Sequence, residues 1–490
     1  MTSKRLKYLI ALSFIIILFV LSCQNKETDK IPITTSSKEA LSNYLKGRDS
    51  SERLKTDQAI NYFKKAITLD PNFAMAHLNL AFLLPNSKET FAELNKAVNL
   101  VDKVSEGEKL YILGTQASVN GITTKEREYF QKLVENFPED ERAQYMMGIY
   151  YYRQQDYNIA LGFFRRATEI NPDFSVAYNI LGYTHRYLGN YSEAEEAFKK
   201  YIGLVPTDPN PYDSYAELLL KMGRFEDSIK NYKKALKLDP HFTASTIGIA
   251  TNLNLLNKHE EARSLLQKSP ANTQNDADYR HIMYAITVSY VDEGNIQSGI
   301  SEMKSLFNLD RKNEDSFNMG RDLGIIGDCY FELMKYDSAL YYYNWVTKIT
   351  RNSDLPDEII NLRNNTEKYQ IAKVALMEGD LETAREYARE YESKANELSN
   401  RFQIWSSHRL NGMIAMKEKD YDQALAELSR ANQQDPYVLF QIGLTYRDKG
   451  DMLQAKKFLT KAVNFNIVNS IEYAFCRKKA EDILQRYFSD

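Results

Sequence analysis

The side chains that most often bind metals or carry out catalysis are sparse and scattered in this sequence. Its six histidines lie at positions 77, 185, 241, 259, 281 and 408, and none has the His/Glu or Cys/His spacing that gathers metal ligands on one helix face. The sequence contains no Cys-x-x-Cys pair, no glycine-rich phosphate loop and no nucleophile elbow. Adjacent carboxylates such as Glu195 and Glu196 fit a solvated helix face better than acid/base chemistry. We therefore predict no catalytic residue, no metal and no cofactor.

The three cysteines, Cys23, Cys329 and Cys476, also offer little chemistry inside the folded chain. Because Cys23 lies close to the amino terminus, at most one internal pair remains, and no disulfide framework is indicated. Cys329 and Cys476 lie in helical segments, where a thiol acts as a small apolar side chain.

Charge and composition narrow the class of protein further. A formal net charge of -3 and a pI near 6.2 leave no strongly basic chain to neutralise phosphates, so we predict no nucleic-acid partner. The content of 12% aromatic residues, with only 20 Gly and 12 Pro, suits ordered helical structure.

The amino terminus has the pattern of a secretory signal. Three basic residues precede an apolar run of about fifteen residues at positions 8–22, and a spanning helix needs about 20. We predict a signal peptide over residues 1–22, with an uncleaved signal anchor as the alternative. The run ends in Val20-Leu21-Ser22-Cys23, which resembles a bacterial lipobox. This resemblance implies a bacterial lipoprotein that is lipid-modified at Cys23, where the mature chain begins.

The segment after the cysteine is polar and lacks a helical period. We predict that residues 23–38 form a flexible tether, which when fully extended would reach about 50 Å from the bilayer. Since Gln24 stands where some bacterial groups place an inner-membrane retention Asp, the resemblance favours the outer membrane.

An internal repeat follows these amino-terminal segments. When the chain is aligned on itself at a spacing of 34 residues, four consecutive copies fit without gaps, at 141–174, 175–208, 209–242 and 243–276. In this register the second copy carries seven residues at signature positions, and they resemble the tetratricopeptide repeat. These residues are Tyr178, Leu181, Gly182, Gly189, Ala194, Phe198 and Pro206.

The resemblance implies an all-α fold, a right-handed superhelix (α-solenoid) of about twelve antiparallel helix hairpins. Spacers at 268–278 and 354–364 interrupt the period, so we predict two lobes, residues 39–268 and 277–469, that join near residue 272. Residues 470–490 would be a solvated capping helix. The looser copies lie at 40–73, 74–104 (shortened), 107–140, 280–313, 320–353, 365–398, 405–438 and from 436 onward.

In proteins of this resemblance, positions two, five, nine, twelve and thirteen of each first helix line a concave groove. Two neighbouring copies place tyrosine and arginine there, the residue types that dominate binding hot spots. Asp213 and Glu217 follow in the next copy, so we expect a basic, aromatic region beside acidic residues. The predicted groove residues are Arg142, Tyr145, Tyr152, Arg153, Asn179, Tyr183, Arg186 and Tyr187.

These patterns favour binding over catalysis. We predict a membrane-anchored scaffold of the bacterial cell envelope that binds proteins or extended peptides in its groove, and we predict no enzyme activity. The alternative is an outer-membrane lipoprotein that captures a glycan or another small ligand. Only two tryptophans, Trp345 and Trp405, are available for stacking on sugars, which favours the first prediction.

Overall fold

A computed structural model describes residues 30–269 and 276–488 of the chain. These two ranges contain 25 α-helices, one short 3₁₀ helix and no β-strand. The predicted signal peptide, Cys23 and the beginning of the predicted tether lie outside the described residues.

The helices are numbered in chain order. They are α1 (Lys38–Glu52), α2 (Thr56–Leu69), α3 (Ala74–Ala81), α4 (Ser87–Val98), α5 (Glu106–Val119), α6 (Thr123–Asn136), α7 (Glu141–Arg153), α8 (Tyr157–Ile170), α9 (Ser175–Leu188), α10 (Tyr191–Leu204), α11 (Asn210–Lys221), α12 (Phe225–Leu238), α13 (Thr243–Leu255), α14 (His259–Lys268), α15 (Asp276–Glu293), α16 (Ile296–Lys312), α17 (Ser316–Glu332), α18 (Tyr336–Arg351), α19 (Asp357–Glu378), α20 (Leu381–Glu397), α21 (Arg401–Glu418), α22 (Tyr421–Arg430), α23 (Pro436–Lys449), α24 (Met452–Val463) and α25 (Ile471–Phe488).

Consecutive helices pack in pairs, so α1 to α24 form twelve hairpins, and each hairpin packs against the next. First helices of neighbouring hairpins also touch, as α9 does with α11 and α11 with α13. The first helices therefore lie on the inner side of the curved array. The predicted all-α solenoid of about twelve hairpins is confirmed.

A glycine and a large side chain sixteen residues later hold most hairpins together. Gly148 of α7 faces Phe164 of α8, whose ring is fully buried, and a Cβ on Gly148 would lie only 2.5 Å from it. The two helices can approach this closely because glycine has no side chain. The same contact recurs in six further hairpins. The pairs are Gly47–Phe63, Gly114–Phe130, Gly182–Phe198, Gly327–Tyr343, Gly412–Leu428 and Gly443–Leu459.

The turns lie where the sequence places them. Gly189 and Gly223, after α9 and α11, have φ angles of +78° and +74°, which glycine adopts without strain. Pro172, Pro206 and Pro240 each follow the end of a second helix by two residues, because proline cannot continue the helical hydrogen bonding.

Longer helices explain why the strict period fails after residue 276. Helices α15 to α21 contain 16 to 22 residues each, whereas α7 to α10 contain 13 or 14. The spacer that we predicted at 354–364 is therefore mostly helix, since α19 begins at Asp357. The hairpin repeats continue there with longer helices.

The two predicted lobes are packed against each other. Helix α15, the first of the second lobe, packs directly on both α13 and α14 of the first. The residues between them, 270–275, lie outside the described part of the chain. Side chains also join hairpins that are far apart in sequence, so the lobes share an extensive contact.

These distant contacts join successive turns of the solenoid. Ser87 Oγ, at the start of α4, donates a hydrogen bond to Asp315 Oδ1 at 2.6 Å. Arg401 binds both carboxylate oxygens of Asp156, at 2.8 and 3.2 Å, from α21 to the α7–α8 turn. Thr123 Oγ1 donates to the Ser399 carbonyl at 2.6 Å. The turns of early hairpins therefore rest on the segments that precede later ones.

The predicted flexible tether is wrong for residues 30–37. This segment runs along the amino-terminal ends of α7 and α5 and the α2–α3 turn, and we call it the N-terminal strap. Its backbone amides donate from Ile31 to Asp140 Oδ2 (3.0 Å), from Thr34 to Glu108 Oε1 (2.8 Å) and from Ser36 to Asp70 Oδ2 (3.0 Å). Two of these acceptors, Asp140 and Glu108, lie at helix amino termini, and Asp70 caps the carboxyl end of α2, a placement that polar composition alone did not reveal.

The carboxyl-terminal helix α25 covers α24, as predicted for a cap, but it is not solvated. It also packs on α15, where Arg477 makes two hydrogen bonds to Asp292, at 2.9 and 2.6 Å. Its buried residues are Ile471, Tyr473, Ala474, Phe475, Cys476, Arg477 and Ala480. The prediction failed because half of the helix has an apolar face that the middle of the array buries.

The hairpin α7–α8 provides a matched test of this packing. We expect Gly148→Ala to lower the free energy of unfolding by about 1–3 kcal/mol, because its methyl group overlaps Phe164. Gly162→Ala, on α8 with open space around it, should raise stability by about 0.5–1 kcal/mol. Urea unfolding followed by circular dichroism measures both, and equal effects of the two substitutions would contradict the role of the close approach.

Candidate functional site

Four of the eight predicted groove residues come together on α7 and α9. The rings of Tyr157 and Tyr187 stack with centroids 5.0 Å apart, and Tyr152 meets Tyr187 edge-on at 5.8 Å. The guanidinium of Arg186 lies 5.0 Å from the ring centroids of both Tyr183 and Tyr187. We call these five residues the tyrosine–arginine cluster. These cation–π contacts stabilise the positive charge of Arg186 between the tyrosine rings.

The arginine of this cluster is already neutralised within the chain. Arg186 is only 7% exposed, and its Nη1 donates to Glu217 Oε2 of α11 at 3.1 Å. Burial opposes its charge, but Glu217 and the neighbouring tyrosines hold the pKa of Arg186 above its ordinary value. The cluster therefore presents ring edges to the groove rather than a free positive charge.

Asp213, one turn before Glu217, is buried in the same wall of the groove. Its Oδ1 accepts a hydrogen bond from Ser245 Oγ at 2.7 Å. Burial, together with the negative charge of Glu217, raises the pKa of Asp213 to about 8. This carboxyl group is therefore largely protonated at neutral pH, and the predicted acidic flank carries one negative charge rather than two.

Arg142 and Tyr145, on the first turns of α7, stabilise the fold through contacts within the chain. Arg142 Nη2 donates to Glu52 Oε1 of the first hairpin at 2.9 Å, and its guanidinium lies 5.1 Å from the Phe174 ring centroid. Tyr145 packs against Phe174, with ring centroids 5.5 Å apart. The first hairpin thus covers this part of the groove.

Asn179 and Arg153 lie on either side of the cluster. The Asn179 Oδ1 atom is buried and has no hydrogen-bond partner among the described residues. Arg153 pairs with the buried carboxylate of Glu126, and burial holds the pKa of Arg153 below its ordinary value. Arg153 retains 39% of its side-chain surface, the most of the three predicted arginines.

Beside Arg153 the groove opens into a pocket of about 340 Å³ that the sequence reasoning missed. Its walls come from α3, α5 and α7 and from Phe82, just after α3. The copy at 74–104 is short and lacks most signature residues, so its inner positions could not be assigned by register. The lining residues are Leu78, Asn79, Phe82, Tyr111, Thr115, Ser118, Val119, Met146 and Arg153.

The groove of the later hairpins is crossed by side chains from opposite walls. Tyr437 of α23 donates to Glu332 of α17 at 2.9 Å, and the guanidinium of Arg409 lies 4.6 Å from the Tyr437 ring centroid. Burial, followed by the charge of Glu332, raises the pKa of Tyr437 well above its ordinary value. These contacts and α25 fill the inner space of this half.

Residues 30–269 and 276–488 contain neither a metal-binding group nor a helix suited to span a membrane. No three His, Cys, Asp or Glu side chains come together there as a metal-binding group. None of the described helices combines the length and apolar character that crossing a bilayer requires.

Family models of the tetratricopeptide repeat match the chain at residues 55–73, 127–173, 145–209, 219–286 and 436–466. These ranges cover most of the four strict copies, the second helix of the first hairpin and the whole of the hairpin α23–α24. The chain contains tetratricopeptide repeats. Tetratricopeptide repeat proteins mediate protein–protein interaction or scaffolding.

Curated relatives share the repeats over part of their length. Anaphase-promoting complex subunit CDC16 of Saccharomyces cerevisiae is 23% identical over 267 residues, which is 52% of this chain and 32% of that protein. TPR repeat-containing protein MJ1428 of Methanocaldococcus jannaschii is 23% identical over 75% of this chain and 58% of its own length. The chain thus spans about a third and somewhat over half of these two relatives.

Solved structures with similar repeats cover smaller parts of the array. A tetratricopeptide repeat protein from Parabacteroides merdae matches 52% of this chain and 99% of its own, with 20% identity and a TM-score of 0.36. MamA from Desulfovibrio magneticus matches 35% of this chain and 98% of its own, with 17% identity and a TM-score of 0.30.

The raised pKa of Asp213 predicts a pH-dependent stability. The unfolded chain releases this proton near pH 4 while the folded chain keeps it to about pH 8, so the contribution of Asp213 to stability falls across that window. Asp213→Asn mimics the protonated group, so the variant should melt at a higher temperature than the wild type at pH 8. The difference should vanish near pH 4. Thermal melts at both pH values measure it, and a difference that is independent of pH would contradict the buried neutral carboxyl.

Proposed function

We propose that this protein is a lipoprotein of the bacterial cell envelope, anchored through Cys23, that organises partner proteins by binding extended peptide segments in its groove. The tetratricopeptide repeats support the scaffold role, and the amino-terminal pattern supports the anchor. Arg142, Arg153 and Arg186 are all paired within the chain, so the free charge of an arginine does not support peptide binding. The observation that supports it is the pocket beside Arg153, the most exposed of the three arginines.

The chemistry of this pocket suits an apolar side chain of a partner. Four apolar side chains (leucine, phenylalanine, valine and methionine) and the Tyr111 ring make up five of its nine lining residues, while Arg153 retains exposed surface at one side. Buried apolar contact supplies affinity, and a few polar groups at the edge fix orientation. A peptide that carries a large apolar residue with a carboxylate nearby fits both features.

The N-terminal strap places the anchor close to the repeats. Lys30 pairs with Glu141 at the start of α7, so Cys23 lies only seven positions before the first fixed residue. Seven extended residues span about 25 Å, half of the reach expected for a free tether. A lipid at Cys23 would therefore hold the ends of α3, α5 and α7 near the bilayer. Because Gln24 replaces the Asp of an inner-membrane retention signal, we propose the outer membrane as the location.

An aromatic cluster on α18 is the feature that favours the alternative, glycan capture. Tyr341 is 62% exposed and meets Trp345 edge-on, with ring centroids 6.0 Å apart. However, Tyr342 stacks on Tyr330, and Trp345 packs against Phe307, so these rings are largely occupied by one another. A sugar needs a free ring face, and this cluster offers few. We therefore prefer peptide binding.

Phe82→Asp tests the pocket. Phe82 is 50% exposed, so the charge should cost little stability, but it places a carboxylate where an apolar side chain binds. We expect partner capture, measured by crosslinking and pull-down from intact membranes, to fall about tenfold or more. Phe402→Asp on α21, at a site 51% exposed, is the matched control and should capture normally. The same partners at the same yield with both variants would exclude this pocket.

Cys23→Ser tests the anchor separately. Acyl chains contribute about 0.8 kcal/mol per buried methylene, so removal of the lipid attachment should release the protein from membranes. We expect the variant in the soluble fraction after a carbonate wash, and the wild type in the membrane pellet. A variant that remains in the pellet would show that the lipid at Cys23 is not the anchor.

A further inference from the structure

A second depression lies away from the groove, at α11 and α12, and its wall is strongly basic. It has a volume of about 520 Å³, with Tyr215 and Leu219 of α11 on one side. Helix α12 and the residue before it supply five cations. We call the four on the helix, Lys230, Lys233, Lys234 and Lys237, the α12 lysine cluster; the fifth is Arg224.

The α12 lysine cluster has almost no internal counter-charge. The one carboxylate among the lining residues, Asp227, accepts hydrogen bonds from Arg224 at 3.0 and 2.6 Å and is thereby neutralised. Lys234 lies with its Nζ 4.0 Å from the Tyr212 ring centroid, which leaves its charge intact. The other three lysines make no ion pair with any residue that the structure describes.

At two of the three equivalent positions in the preceding copies the basic side chain has an acidic partner, whereas Lys200 of α10 lies 5.7 Å from the Tyr178 ring centroid and has no ion pair among the described residues. In the 34-residue register Lys234 corresponds to Lys132 of α6 and Arg166 of α8. Lys132 pairs with Glu128 at 2.8 Å, and Arg166 pairs with Glu169 at 3.4 Å. Lys230 stands in the position of Glu128, and Lys237 in that of Glu169. Helix α12 therefore replaces both acidic partners by lysine.

This replacement of acidic residues by lysine destabilises helix α12. Residues three and four apart on a helix are neighbours, so Lys230, Lys233, Lys234 and Lys237 form four like-charged pairs, and each such pair destabilises the helix. Natural sequences keep local conflicts of this kind where a function requires them. An anion bound between the four ammonium groups would relieve all four repulsions at once.

We propose that the α12 lysine cluster binds a ligand that carries phosphate groups. Lysine binds phosphate as a compact point charge, and the cluster spreads its charges along about 10 Å of helix. The ligand is either the head group of an anionic phospholipid or a soluble polyphosphorylated molecule. This site uses residues separate from the groove, so it does not depend on the peptide-binding proposal.

The test uses the full chain with Cys23→Ser, so that no lipid anchor contributes. One arm measures cosedimentation with vesicles of phosphatidylcholine, with or without phosphatidylglycerol. The other arm measures tripolyphosphate binding by calorimetry. Lys230→Glu with Lys237→Glu restores the acidic residues of other hairpins and should weaken binding about 30-fold or more. Lys64→Glu with Lys65→Glu on α2 changes the net charge equally and should bind normally.

The two arms identify the source of the phosphate. Binding only to vesicles that contain phosphatidylglycerol assigns a lipid head group, and binding of tripolyphosphate assigns a soluble ligand. The α12 variant should unfold at the same or a higher temperature than its parent, because the new carboxylates sit beside Lys233 and Lys234. Absence of binding in both arms, or equal losses in the α12 and α2 variants, would overturn the proposal.

Discussion

The close approach of the two helices in each hairpin is the constraint on which the rest of the structure depends. A ring or leucine from the second helix packs on a glycine of the first, as Phe198 does on Gly182. This contact sets the separation of the helices, and the small residues beside it bring neighbouring hairpins together. Because seven of the twelve hairpins repeat this contact and all twelve pair a first helix with a second, the inner face of the array comes from first helices, and register fixes which of their residues face it.

Contacts between distant hairpins then hold successive turns of the solenoid together. Arg53, after α1, binds Asp208 before α11 through Nε and Nη2, at 2.6 and 2.9 Å. Asp208 is almost fully buried, so its charge is stabilised by this arginine rather than by water. Each such pair holds one turn of the solenoid on another. As a result long charged residues reach partners on distant hairpins, as Arg142 does with Glu52.

The repeat signature explains what could be predicted. Its glycines, rings and prolines report local packing, so the hairpins, their turns and the positions of inner residues follow from the sequence. Pairings across the groove do not follow, because they join residues such as Glu52 and Arg142 that no short-range pattern relates. For the same reason the tether and the cap were misjudged: polar residues 30–37 are ordered by Asp70, Glu108 and Asp140, which lie far along the chain.

The buried ion pairs also indicate which part of the inner surface recognises partners. Asp292 accepts from His259 at 2.8 Å and from Arg477 of α25; burial alone would raise its pKa, but these bonds hold the pKa below the ordinary value. Removing one member of such a set leaves a buried charge without a partner, which costs several kcal/mol. A partner that competed for Arg186 or Arg477 would have to meet that cost. A side chain entering the apolar pocket would not, so recognition is least costly there.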